Sequence, residues 1–205
     1  MRHLAKIAAV SAVLLGAAAP ALAQWRPNLH SALEDMIRVC ATSPSSSAVV
    51  TTLTAMGYVR PGAQDFARVR NLQTDNDTLR LYVGSRDLNE LEAWRLSAMV
   101  DGSLGDTELF WTDSDRRSLI SIRTDGDMTA CDYFGHFTDA DAHFVAMISM
   151  VGSVAPNATG HVSRIRNSIG GAPFEMVMYS MDDILAPALK QPPVLGPSSL
   201  TIVRG

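Results

Sequence analysis

Cys40 and Cys131 are the only two cysteines in the chain, and they stand 91 residues apart. Bonded to each other, they pin an early segment to a distant one, so few arrangements of the intervening chain survive. The start of the sequence says how to read them. Arg2 and Lys6 flank the entry to an uncharged apolar run of 13 residues, Ile7 to Ala19. Pro20-Ala21-Leu22-Ala23 then breaks the run with small residues at the two positions that a signal peptidase reads. This is the pattern of a secretory signal cleaved after Ala23. The run is shorter than the about 20 residues that span a hydrocarbon core. Gln24 rather than Cys follows it, which argues against a lipoprotein, and no twin arginine precedes it, which favours Sec-type export. The expected location is periplasmic or secreted. Paired cysteines are the rule in an oxidising compartment. Closing a loop of this length stabilises a fold by about 4–5 kcal/mol in the chain-entropy model.

Removing residues 1–23 leaves 182, expected to form one domain, 24–205, with a proline-rich C-terminal segment at 187–199. Two of the 17 basic residues and none of the 21 acidic ones lie in the leader, which leaves 15 against 21, net −6. Nucleic acid and anionic lipid both require a basic patch, so an acidic chain argues against them as partners. No later run is long enough for a membrane span. A 47% hydrophobic and 19% charged composition excludes a disordered chain and a coiled coil.

Apolar spacing predicts a first helix capped by Asn28, with Leu29, Leu33, Met36, Ile37 and Cys40 on one stripe. Ser45 to Ser47 starts a second, carrying Val49, Val50, Leu53 and Met56, which Gly57 ends as a left-handed cap before Tyr58-Val59 folds back. Pro61 to Leu72 reads as a third short helix with Phe66 and Val69 inward. Asp75-Asn76-Asp77 reads as a turn, and the alternation of Leu79, Leu81 and Val83 as a strand. Asp87 caps a helix through Leu88, Leu91, Arg95 and Met99. From Glu108 the period changes to that of strands. Three of them form a meander over about 108–134, with Asp125-Gly126 as its hairpin turn and Cys131 on its third strand. Thr138 to Val151 reads as a helix, and strands follow near 161–165, 174–179 and 200–203. The expected class is α+β: helices packed on an antiparallel sheet, with one structural disulfide.

Few residues suggest chemistry. His136, Asp139 and His143 could hold a divalent metal, because Asp139 and His143 share a helix face. The simpler reading is an acidic helix start with a surface histidine on either side. Arg164 and Arg166 point the same way on a strand and could hold an anion, or simply be solvated. Trp111, with Trp25 and Trp94, could line a sugar platform or pack in the core. Arg116-Arg117 reads as turn solvation. No Gly-x-Ser-x-Gly, His-Glu-x-x-His, P-loop or Cys-x-x-Cys is present. No cofactor is implied. The expectation is an exported, non-catalytic binding or interaction protein of the bacterial envelope, for an unknown protein or small-molecule ligand. The alternative is a metal-dependent or Ser/His/Asp hydrolase built on His136, Asp139 and His143.

Overall fold

The computed structural model describes residues 31–101, 107–112, 114–137, 152–169, 171–182, 185 and 198–205. The expected leader, the helix expected from Thr138 to Val151 and most of the 187–199 segment lie outside the described residues. Within them are four helices, α1 (Ser31–Thr42), α2 (Ser46–Ala55), α3 (Phe66–Leu81) and α4 (Leu88–Asp101). Seven strands follow: β1 (Glu108–Trp111), β2 (Ser118–Asp125), β3 (Met128–Gly135), β4 (Ser153–Pro156), β5 (Gly160–Ile169), β6 (Ala172–Met181) and β7 (Ser198–Arg204). They make one antiparallel sheet in the order β1-β2-β3-β7-β6-β5-β4. The class is α+β, and β1-β2-β3 is the expected meander.

Alternation along the strands sends successive side chains to opposite faces, and helices cover both. On one face, Ile120, Ile122, Cys131, Tyr133, Met176, Met178, Leu200 and Ile202 pack against Leu33, Met36, Val39 and Leu53 of α1 and α2. The Cys40–Cys131 disulfide, with Cα atoms 6.3 Å apart, ties α1 to β3 within this core. On the other face α3 packs Val69 and Leu72 against Leu109, Trp111, Leu119 and Phe134. Its far end places Leu79 near Tyr82, Leu91 and Met181. α3 therefore crosses the strands, from the β1 side of the sheet to the β6 side.

The α1–α2 hairpin follows its sequence closely. Ser45 caps α2 by accepting from the Ala48 N–H at 3.3 Å. Gly57, at φ +90°, ends it. The Tyr58 N–H then reaches the Leu53 carbonyl and the Gly57 N–H the Thr54 carbonyl, the two bonds of a Schellman cap. Val59 continues onto the outer edge of β1, where its carbonyl accepts from the Trp111 N–H at 2.8 Å. Arg60 stacks over Phe110 and pairs with Glu108. This cover hides an edge that would otherwise offer unpaired backbone groups.

Residues 61–83 depart from expectation. The segment is not a short helix, a turn and a strand, but one 16-residue helix after a single 3-10 turn, Ala63–Asp65. The apparent alternation at Leu79, Leu81 and Val83 is misleading, since Leu81 and Val83 are 59% and 91% exposed. The stripe that matters is Val69, Leu72, Asn76 and Leu79, at spacings of three and four. Phe66 lies outside it, half exposed beneath the Arg70 guanidinium. Asp75-Asn76-Asp77 stays helical with Asn76 buried on the inward stripe and the two carboxylates engaged within and between helices. Asp75 pairs with the buried Arg95 of α4 at 2.6 Å, and Gln73 donates to Asp77 one turn on. The hydroxyls of Thr74 and Thr78 bond back to carbonyls four residues earlier.

The β2–β3 turn also shifts by one residue. Asp125 pairs with Met128, so Gly126 and Asp127 are the central pair. Only Gly126 has a positive φ, +58°, which is the pattern of a type II′ rather than a type I′ turn.

Candidate functional site

The polar centre of the molecule lies on the α3 side of the sheet. Asp132 of β3 is fully buried there. Its Oδ2 accepts from Arg80 Nη1 of α3 at 2.9 Å, Arg123 Nη2 at 2.7 Å and Nε at 3.2 Å, and the Ser121 hydroxyl at 3.0 Å. Its Oδ1 accepts from the Thr201 hydroxyl of β7 at 2.6 Å. Taking a carboxylate out of water is costly unless its lone pairs are satisfied. Two guanidiniums and two hydroxyls achieve that here.

The cross-strand register extends this cluster across the sheet. Arg123, Ala130, Val203, Glu175 and Arg166 form one row over β2, β3, β7, β6 and β5. Thr201, Val177 and Arg164 lie in the next row with Asp132. Arg164 and Arg166 thus share a face, as their spacing indicates, and Glu175 sits opposite Arg166 and diagonal to Arg164. Arg164 Nη1 is 3.5 Å and Arg166 Nε 3.7 Å from its carboxylate oxygens. These rows are at the end of the sheet remote from Trp111 and Leu119, where α3 starts. Arg123, Ala130, Val203 and Glu175 are half-buried, and Arg164 and Arg166 are exposed.

Two clusters of the same composition therefore share the face, Arg80–Asp132–Arg123 and Arg164–Glu175–Arg166. Each has two guanidiniums and one carboxylate. With strands ~4.8 Å apart and a two-residue offset of ~6.8 Å, the Cα atoms of Asp132 and Glu175 are about 12 Å apart. Asp77 of α3 stands beside the first cluster, and burial pushes its carboxyl above the usual carboxylate range. Four guanidiniums among the described residues of this face stand with the carboxyl groups of Asp132, Glu175 and Asp77.

The other sequence candidates lie elsewhere. Trp111 is buried, and its indole N–H donates to Asp65 at 3.2 Å. Trp94 packs edge-on against Tyr82. His136 follows β3, where its carbonyl accepts from the Ser118 and Tyr133 hydroxyls. Asp139 and His143 lie outside the described residues. Among the described residues no group of three or more His, Cys, Asp or Glu side chains could hold a metal ion.

Asp65, like Asp75 and Asp132, is a buried carboxylate. It accepts from the Gly62 N–H at 2.9 Å and from Trp111, and it pairs with Arg116. The Gly62 bond, then those of Trp111 and Arg116, hold its carboxyl below the ordinary value, against the opposing effect of burial. A depressed folded value gives stability that is present above the unfolded pKa, about 3.9, and lost as pH falls through the folded one. Urea midpoints measured from pH 7 to pH 2 should fall less steeply for Asp65→Asn than for the parent.

No family model, curated protein or solved structure matches the chain. Among the described residues no helix is long and apolar enough to cross a membrane.

Proposed function

We propose that the chain is an exported, non-catalytic binding module that takes an anionic ligand on the arginine-lined half of its sheet. The observation that carries this reading is the pair of Arg–carboxylate–Arg clusters on one face. Each carboxylate offsets one of its two guanidiniums, so each cluster keeps one positive charge in a chain that is acidic overall. Guanidinium groups present forked donors that match carboxylate, phosphate and sulfate oxygens. A compact anion would meet one cluster, and a longer polyanion both. Export is supported by the leader-like residues 1–23 and by the buried disulfide. It places the module in the periplasm or outside the cell, with a mature chain starting at Gln24.

Calorimetric titration of the mature protein with inorganic tripolyphosphate tests the reading. Binding should weaken as salt is raised. The double variant Arg164→Ala/Arg166→Ala, which alters only exposed side chains, should lose affinity by about tenfold or more. Absence of binding at low salt, or an affinity that this variant leaves unchanged, would sink the idea.

A further inference from the structure

A cleft of about 550 Å³ opens between the C-terminal end of α2 and the β1–β2 loop. It is remote from the arginine-lined face, and its volume falls within the range of roughly 300–1,000 Å³ typical of small-molecule sites. Asp35 and Tyr58 form one wall, Ser114 and Arg116 the other, and Gly57 and Trp111 also line it.

The charges of this cleft are paired before any ligand arrives. Asp35 Oδ1 pairs with Arg38 at 2.8 Å, and its Oδ2 accepts from the Tyr58 hydroxyl at 2.9 Å. Arg116 pairs with Asp65, which also holds the Trp111 indole. Each wall is locally neutral, so neither an anion nor a cation is favoured over an uncharged ligand. The walls still offer hydrogen bonds. A carboxylate has about four lone-pair sites and a guanidinium five donors. Tyr58 and Asp35 use two of the lone-pair sites together with Arg38, and Asp65 takes one donor of Arg116.

The backbone carries an independent sign. Arg116, at φ +55°, is the only non-glycine residue with a positive φ among the described residues. An L-residue rarely adopts that region, because its Cβ crowds the backbone there. Such outliers persist where the surroundings over-determine them, and they concentrate at functional sites. Here the conformation brings the guanidinium onto Asp65 at the wall of the cleft. Tyr58, Trp111, Asp35 and Arg116 are thus each locked by a hydrogen bond or ion pair, which lowers the entropy lost when a ligand is bound.

We propose that this cleft is a second binding seat, for a neutral polyhydroxylated ligand of mono- to disaccharide size. Planar carboxylate and guanidinium groups each bond two adjacent hydroxyls, and the half-buried Tyr58 ring offers surface to the ligand's C–H face. This proposal is independent of the anion reading and does not use its residues.

The test is a ¹H–¹⁵N NMR titration of the mature protein with maltose, cellobiose and, separately, sodium glucuronate. Backbone amides of Gly57, Thr112, Ser114 and Arg116 should move with at least one neutral disaccharide. Arg116→Gly removes the guanidinium and relaxes the left-handed backbone, and Tyr58→Phe removes one hydroxyl. Each should weaken that binding by about tenfold while the remaining spectrum shows an intact fold. Three results would overturn the proposal. They are no movement of these amides with either neutral sugar, binding unchanged in both variants, or glucuronate binding tenfold more tightly than the neutral sugars.

Discussion

Replacing both Cys40 and Cys131 with Ser should lower the unfolding free energy by about 4–5 kcal/mol, read as a shift of the denaturant midpoint. The bond closes 91 residues of chain, so most of its expected effect comes from restricting the unfolded ensemble. The native state loses packing as well. Both sulfurs lie in the core between α1 and the sheet, among Met36, Val39 and Tyr133. Two hydroxyls placed there would lack the partners that buried polar groups require. Reduction of the parent protein should give a loss of similar size without changing its sequence. A shift of under 1 kcal/mol in both experiments would mean that the unfolded chain is already restricted in some other way.

Asp132→Ala should cost about 3–5 kcal/mol, because removing one member of a buried ionic group leaves its partners uncompensated. Arg80 would keep its charge at a nearly buried position, with Arg123 beside it and the Ser121 and Thr201 hydroxyls unsatisfied. Asp132→Asn retains an acceptor and the volume, and should lose less. Thermal and urea unfolding of the three proteins at pH 7 gives the ordering parent, Asn, Ala. If the Ala variant matched the parent, the cluster would be no more than a solvated surface array, worth about 0–1 kcal/mol per pair.

Local signals carried much of the fold. The change of period at Glu108 marks the meander, Gly57 marks the end of α2, and the presence of just two cysteines marks the disulfide. Asp87 caps α4 as its side chain suggests, accepting from the N–H groups of Asn89 and Glu90. What escaped local reading is held by distant partners. α3 buries Thr74, Asp75, Asn76 and Thr78, residues that ordinarily mark turns. The Asp75–Arg95 pair that keeps this helix intact spans 20 residues. Arg95 stands at a core position of α4 and could be read there only as an anomaly in an apolar stripe. The candidate site was half legible. Arg164 and Arg166 announce a shared face by their spacing, but Arg123 joins their row only through the register of β7, and Arg80 only through the packing of α3 on the sheet. Arg116 looked like an ordinary turn residue, since a backbone torsion leaves no trace in composition.

The position of β7 has a consequence for the order of folding. β1-β2-β3 and β4-β5-β6 are each consecutive in sequence, and each can pair by short-range contacts. β7, the last described strand, supplies the hydrogen-bonded seam between them. Until residues 198–204 are available, the two half-sheets have exposed inner edges and no ladder joining them. Thr201 also arrives with that strand, so Asp132 lacks one of its donors until then. A chain threaded through a membrane channel from its N-terminus would thus be held open by its own topology, and sheet closure would fall after the late strand emerges.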